Sequence, residues 1–162
     1  MALFKPDMRI GKIIDITPER MRSLGIKALL LDIDNTMTTH NNPLPAEGVQ
    51  EWIDRMKSQG FLLMVVSNNN GQRVRKFSQL LGLEFEGAAK KPLPVGFRRA
   101  CKRLGIQPKE AAVVGDQIFT DIMGGNLLGA YTVMTEVYEP EPMVFFKVKR
   151  ACERFVMKFW KD

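Results

Sequence analysis

Hydrophobic residues from position 28 onward occur in short continuous runs that alternate with amphipathic segments. Continuous apolar runs of this length are typical of strands that are buried on both faces of a parallel sheet. They predict strands at Ala28–Ile33, Phe61–Ser67 and Ala111–Gly115, with weaker candidates at Leu83–Phe85 and Tyr131–Val137. The alternation of strands and helices predicts an α/β fold, in which helices cover a parallel sheet.

Four segments between these runs have apolar residues at helical spacing, and each ends at a glycine, which is a common helix stop. They are Ala46–Ser58, Gly71–Leu81, Pro94–Leu104 and a segment near Phe119–Leu128. Thr17 followed by Pro18 is typical of a helix start, and this short helix should end at Gly25. Because no Pro/Gly/Ser-rich linker is evident, we expect one domain over residues 1–162 with an N-terminal arm at 1–27.

Residues 143–162 have the pattern of an amphipathic helix with an apolar and a basic stripe. The apolar stripe consists of Phe145, Val148, Cys152, Phe155 and Phe159. The basic stripe consists of Lys147, Arg150, Arg154, Lys158 and Lys161. Two interpretations are open. The helix could dock its apolar face on the sheet, which we favour, or it could lie on an anionic lipid surface with Trp160 at the boundary.

Composition narrows the class of protein. With 162 residues, 45% hydrophobic and 26% charged, the chain is long enough for the core of a globular domain. Its net charge is +6, and six basic against two acidic residues place most of that charge in 143–162. The longest apolar run, Phe61–Val66, is far shorter than the roughly 20 residues that a membrane-spanning helix needs.

The N-terminus and the cysteines bear on the compartment. The first residues lack the apolar segment of a secretory signal, so we predict a cytoplasmic protein, with peripheral membrane contact as the extension that the basic helix suggests. Cys101 and Cys152 have no CxxC partners, which argues against a zinc cluster or a disulfide framework. We predict that both are small core residues.

Polar residues follow the predicted strands at the points where these strands end. They are Asp32 and Asp34, then Ser67 and Asn68, then Lys91, and finally Asp116 and Asp121. The carboxyl ends of parallel strands lie at one edge of a sheet, so these groups should meet in one crevice. Clustered acids need a cation, and oxygen ligands without histidine or cysteine favour Mg²⁺. The ammonium of Lys91 and the hydroxyl of Ser67 suit a transferring phosphoryl group.

The order of these motifs resembles the haloacid dehalogenase (HAD) superfamily of aspartate-nucleophile phosphatases. The motifs are DIDNT at 32–36, Ser67 after the next long strand, Lys91-Pro92 and GDQIFTD at 115–121, and the resemblance covers residues 28–137. The run GDQIFTDIMGGNLLGA is similar to the YqeG-like subfamily IIIA phosphatases, which resemble mitochondrial phosphatidylglycerophosphate phosphatases. The resemblance implies a Rossmann-like (HAD-like) fold and a Mg²⁺-dependent phosphatase that works through an aspartyl-phosphate.

The resemblance also implies roles for individual residues. Asp32 corresponds to the nucleophile, and Asp34 to the general acid that protonates the leaving group and then activates water. Lys91, rather than Lys90, corresponds to the cation that stabilises the nucleophile and the phosphate. Ser67 and the Asn68 amide correspond to the groups that hold the phosphoryl oxygens. The implied Mg²⁺ ligands are Asp32, Asp34 through its carbonyl oxygen, Asp116 and Asp121.

The spacing of the motifs limits what can cover the site. Only 33 positions separate Asp34 from Ser67, and 24 separate Ser67 from Lys91, so neither gap can hold a cap domain. Residues 37–45 are then the available flap. In the superfamily that the motifs resemble, an open site implies either a bulky substrate, such as the lipid-linked phosphatidylglycerophosphate, or a lid supplied by a partner. The expected partners are this phosphorylated substrate and an anionic membrane surface, but not DNA. The alternative is an RNA-, ribosome- or membrane-binding protein with vestigial phosphatase activity.

Overall fold

Six parallel strands form one sheet in the computed structural model of the chain, which describes residues 2–40, 42–139 and 143–160. The strands are β1 (Met8–Ile10), β2 (Ala28–Leu31), β3 (Leu62–Val66), β4 (Glu84–Glu86), β5 (Ala111–Gly115) and β6 (Tyr131–Thr135). Their order across the sheet is β1-β6-β5-β2-β3-β4, and every neighbouring pair is parallel. The five predicted strands are confirmed, with ends within two residues of the prediction.

Strand β1 was not predicted. It lies in the segment that we expected to be an arm, and it pairs with β6 so that Met8 lies beside Val133 and Ile10 beside Thr135. A three-residue strand with Arg9 at its centre has too short a hydrophobic pattern to be recognised before its partner is known. The single domain over 1–162 stays a prediction, but part of its N-terminal arm belongs to the sheet.

Helices cover both faces of the sheet because successive strand residues point to opposite sides. Leu29 and Leu31 of β2 pack in one core with Trp52 and Phe77, and Leu30 packs in a second core on the other face. The helices are α1 (Pro18–Ser23), α2 (Val49–Ser58), α3 (Gln72–Leu80), α4 (Val95–Leu104), α5 (Met123–Leu128) and α6 (Val144–Met157). The Rossmann-like prediction is therefore confirmed.

Local signals in the sequence set several helix boundaries. Thr17 caps α1 as predicted, since its side chain accepts a hydrogen bond from the Arg20 amide and Pro18 occupies the first helical position. The helix that we predicted near 119–128 is divided into a π-helical turn, Ile118–Ile122, and α5. Gly129 adopts a left-handed conformation that ends α5.

The described residues contain no cap domain, in agreement with the spacing of the motifs. Between Asp34 and Ser67 they hold a loop, α2 and β3, and between Ser67 and Lys91 they hold α3 and β4. The carboxyl ends of β2, β3 and β5 are therefore left for the flap and α6 to cover. No helix in the described ranges has the length and apolar character needed to cross a bilayer.

Helix α6 packs against the protein with its polar face, so our favoured prediction of apolar docking is wrong. Phe145, Phe155 and Phe159 of the predicted apolar stripe are 70%, 61% and 55% exposed. Glu153, on the opposite side of the helix, is buried. Helical periodicity shows that two faces differ, but polar contacts with the strand ends decide which face turns inward. Lys161 of the basic stripe lies outside the described residues.

The two cysteines differ in environment. Cys101 is buried, as predicted for a core residue, and Cys152 is exposed. The prediction for Cys152 is wrong because this residue belongs to the outward face of α6. Both thiols are free.

Candidate active site

Three carboxylates converge at the carboxyl ends of β2 and β5. These strands are neighbours, with Leu31 beside Val114, so the residues that follow them, Asp32 and Asp116, lie close together. Asp121 joins them from the π-helical turn, and a side chain on Gly115 would collide with its carboxylate. Carboxylate oxygens of Asp32, Asp116 and Asp121 lie within 4.8 Å of one another.

Lys91 supplies the positive charge within this cluster. Its Nζ donates hydrogen bonds to Oδ1 of Asp32 at 3.0 Å and to Oδ1 of Asp121 at 2.7 Å. Burial acts to lower the pKa of Lys91, but the charges of Asp121 and Asp32 outweigh it and raise the pKa above its usual value. The lysine is therefore a permanent cation in the site. Lys90 is exposed, so the structure brings Lys91 and not its neighbour to the acids.

The donor set fits a hard divalent cation. Oδ1 of Asp116 is buried, and among the described residues it has no hydrogen-bond partner. Burial raises the pKa of Asp121 to about 6, with the charge of Asp32 acting in the same direction and Lys91 opposing it. Burial also raises the pKa of Asp116, and the negative charge of Asp32 acts in the same direction. The positive charge of Arg150 opposes both effects. An orphaned carboxylate oxygen among crowded acids is the environment that Mg²⁺ can neutralise.

Asp34 is paired with an arginine that the motifs did not indicate. Nη2 and Nη1 of Arg73 lie 2.6 and 3.2 Å from Oδ1 and Oδ2 of Asp34. A guanidinium that makes two bonds to one carboxylate fixes its orientation. Arg73 lies 39 positions from Asp34 near the start of α3, and no local pattern in the sequence links the two residues.

Ser67 and Asn68 follow β3, and the side chain of Asn68 has a task besides the phosphate contact that we predict for the Asn68 amide. Its Oδ1 accepts a hydrogen bond from the Lys91 amide at 2.7 Å, and its Nδ2 donates to the Lys91 carbonyl at 3.3 Å. Asn68 thus fixes the backbone that carries the buried lysine. Oγ of Ser67 accepts a hydrogen bond from the Asn69 amide at 3.1 Å.

Helix α6 contributes two charged residues that sequence reasoning did not place in the site. The guanidinium of Arg150 forms an ion pair with Oδ2 of Asp116, and its Nη1 donates to the Asp116 carbonyl at 2.9 Å. Glu153 accepts hydrogen bonds from Arg150 and from the Ile118 amide, both at 2.9 Å. The available signal was an acid three residues after an arginine on a basic helix, which is also common on exposed surfaces.

The flap meets α6 above the strand ends. The rings of His40 and Phe146 lie 5.4 Å apart in an edge-to-face contact. Residue 41 of the flap lies outside the described residues. The described part of the flap is therefore in contact with α6.

Comparisons with known proteins identify relatives by sequence. The profile of the haloacid dehalogenase-like hydrolases matches residues 40–129. The chain is 33% identical over 158 residues to the "Probable phosphatase YqeG" of Bacillus subtilis, covering 98% of this chain and 92% of that protein. It is 36% identical over 127 residues to the mitochondrial phosphatidylglycerophosphatase GEP4 of Saccharomyces cerevisiae, covering 67% of this chain and 66% of that protein.

Solved structures show the same fold. The cobalt-bound deoxy-D-mannose-octulosonate 8-phosphate phosphatase of Haemophilus influenzae superimposes with a TM-score of 0.54. The match covers 83% of this chain and 88% of that chain at 14% sequence identity. At this identity the likeness concerns the architecture of the sheet and helices.

Proposed function

The chain belongs to the haloacid dehalogenase-like hydrolases and is a phosphatase, and from this premise we propose that it hydrolyses a phosphate monoester through a phosphorylated Asp32 in a Mg²⁺-dependent reaction. The observation that carries the proposal is the buried Lys91 between Asp32 and Asp121 beside the orphaned oxygen of Asp116. Such a set of charges is costly for folding alone, but it suits the transfer of a phosphoryl group.

The proposed reaction uses groups of this chain in two displacements. An oxygen of Asp32 attacks phosphorus, the bond from phosphorus to the leaving oxygen breaks, and Asp34 gives that oxygen a proton. Water then attacks the phosphorus of the aspartyl-phosphate while Asp34 takes a proton, which releases phosphate and restores the Asp32 carboxylate. Lys91 stabilises the charge on the phosphoryl oxygens, and Ser67 and the Asn68 amide hold them.

Asp32, the Asp34 carbonyl and Asp116 would hold Mg²⁺, with Asp121 in support. The ion, when bound, supplies positive charge that offsets the repulsion between Asp32 and the incoming phosphate. Arg73 orients the Asp34 carboxylate in the resting site. Its two bonds must loosen for Asp34 to take up the proton that it later donates, and they can form again once that proton has left.

Metal binding provides the first test. Saturating Mg²⁺ should raise the Tm of the protein by about 5–10 °C, because a ligand at a hundred times its Kd stabilises the fold by about 2.7 kcal/mol. Asp116→Asn should abolish this shift, and Glu51→Gln, a change in an exposed acid of α2, should leave it unchanged. Hydrolysis of p-nitrophenyl phosphate should require the metal. Activity in excess chelator, or an equal shift in Asp116→Asn, would contradict the proposal.

The leaving group provides a test for Asp34. Because an alkoxide needs a proton to depart and p-nitrophenolate does not, Asp34→Asn should slow the first turnover of glycerol phosphate by about 100-fold or more. The first turnover of p-nitrophenyl phosphate should slow far less. Stopped-flow and quenched-flow measurements of one turnover separate this step from water activation, which the variant impairs for both substrates. Asp54→Asn on α2 is the control, and equal losses for the two substrates would refute the role.

We further propose that the substrate is a lipid-linked phosphomonoester at an anionic membrane surface. The support is the site without a cap domain, the outward apolar face of α6 and the phosphatidylglycerophosphatase named among the relatives. A panel of phosphomonoesters in detergent should show a higher kcat/KM for phosphatidylglycerophosphate than for glycerol phosphate. The opposite order would assign a small polar substrate. The alternative of a binding protein with vestigial activity gains no support from the named relatives, which are phosphatases.

A further inference from the structure

A groove beside the active site is lined mostly by residues that have no part in the reaction described above. It has a volume of about 720 Å³ and lies between α6 and the end of the sheet formed by β1 and β6. Asp116 and Arg150 line its inner end, so the groove adjoins the acid cluster. Its volume lies in the range of small-molecule sites, about 300–1,000 Å³.

The outer part of the groove is rich in cations. Arg9 from β1 and Lys147 and Arg154 from α6 line it, and all three side chains are exposed. Among the residues that the structure describes, these three cations have no ion-pair partner. One exposed acid, Glu136, lies with them. The rim therefore favours an anion, and guanidinium groups match the oxygens of a phosphate.

The wall of the groove is apolar below these cations. Ile10, Met134 and Met157 line it, and each of these side chains is only partly buried. Methionine side chains adapt to flexible aliphatic ligands more readily than branched side chains. A ligand that combined one anionic group with a hydrocarbon segment would match both parts of the groove.

The position of the cations on α6 connects the groove with the outer face of the helix. At 100° per residue, Lys147 and Arg154 fall between the inward Arg150 and the outward Val144. Val144 is 74% exposed. A hydrocarbon chain that leaves the groove across this edge would therefore reach the exposed apolar stripe.

We propose that this groove binds the non-reacting part of the substrate, a phosphodiester that carries aliphatic chains, while the phosphomonoester lies at Asp32. The inference rests on the proposed function for its substrate but concerns a separate set of residues. It assigns Arg9 as a residue that recognises the second anion and has no role in the chemical step.

Direct binding tests the groove without catalysis. Dihexanoyl phosphatidylglycerol, used below its micelle concentration, carries the phosphodiester and the chains but no phosphomonoester. It should bind to the full chain in isothermal titration calorimetry, and Arg9→Gln should raise its Kd about tenfold, as expected for one charge-assisted contact. Arg20→Gln, an exposed arginine on α1, is the matched control. Dihexanoyl phosphatidylcholine, which has the same chains but no net charge, should bind more weakly and without dependence on Arg9.

Kinetics separate a failure of the groove from a failure of the proposed function. With dihexanoyl phosphatidylglycerophosphate, Arg9→Gln should raise KM about tenfold and leave kcat unchanged, and kcat/KM for p-nitrophenyl phosphate should not change. If the wild type binds dihexanoyl phosphatidylglycerol and Arg9→Gln binds it equally well, the proposal for the groove is overturned, whatever the activity. If Arg9→Gln loses activity on both substrates, the proposal is also overturned, because Arg9 would then take part in the chemical step. An inactive wild type that binds the probe through Arg9 would refute the proposed function and retain the groove.

Discussion

Replacing Asp32 with asparagine is expected to reduce the turnover of p-nitrophenyl phosphate at least about 1,000-fold, which corresponds to roughly 4 kcal/mol of transition-state free energy. Asparagine has the shape of aspartate but no nucleophilic carboxylate, so the aspartyl-phosphate cannot form. The fold should persist because the charge of Asp32 opposes ionisation of the two buried acids beside it, Asp116 and Asp121. Lys91 keeps its bond to Asp121 in the variant.

The measurement pairs activity with covalent trapping. Acid quenching of the wild type during turnover of a ³²P-labelled phosphomonoester should leave labelled protein, whereas Asp32→Asn should remain unlabelled with a normal circular dichroism spectrum. Asp54→Asn serves as the control for a general effect of removing a carboxylate. Label in Asp32→Asn, or turnover close to that of the wild type, would move the nucleophile to another residue.

Removing the three exposed phenylalanines of α6 should weaken binding to anionic vesicles at least about 100-fold, as expected when three partly inserted aromatic side chains are lost. The variant is Phe145→Ser with Phe155→Ser and Phe159→Ser. Its Tm should stay close to that of the wild type because these side chains face outward. Lys147, Arg154 and Lys158 at one edge of the stripe should add attraction to phosphatidylglycerol that salt screens.

Sedimentation with vesicles of phosphatidylcholine, with and without phosphatidylglycerol, measures this binding. Leu80→Ser with Leu127→Ser removes exposed leucines on other surfaces and should leave it unchanged. If the phenylalanine variant binds anionic vesicles as well as the wild type does, the outward face of α6 is not the membrane contact. A dimer in lipid-free buffer that the same variant converts to a monomer would instead identify an interface between two copies. Deletion of the whole helix is a poorer test, since it also removes the Arg150 contact with Asp116.

The sequence was most informative where local pattern and chemistry coincide. Buried strands such as Leu62–Val66 need continuous apolar residues, so these strands could be predicted. Most polar residues of the candidate site directly follow such strands, so they could be predicted as well. Arg73 could not be predicted, because its contact with Asp34 depends on how α3 lies against the end of β2. The contact of the Asn68 side chain with the Lys91 backbone likewise joins residues 23 positions apart, with α3 and β4 between them.

The orientation of α6 was the largest error, and its cause is general. A helix with apolar and basic stripes can dock through its apolar face or through its polar face. The helical pattern alone does not distinguish these cases, because it contains no information on the surface against which the helix packs. Here that surface offers the Asp116 carboxylate and the Ile118 amide. Buried polar groups need partners, so Arg150 and Glu153 turned inward and the phenylalanines turned outward.

The pairing of β1 with β6 has a consequence for folding during synthesis. Asp7, just before β1, exchanges hydrogen bonds with Thr132, and 125 positions separate the two residues. Chains emerge from the ribosome N-terminus first, and contacts between distant segments form slowly because long loops must close. Strand β1 is at the edge of the sheet and its neighbour is β6. It therefore cannot take its place in the sheet until β6 has left the ribosome.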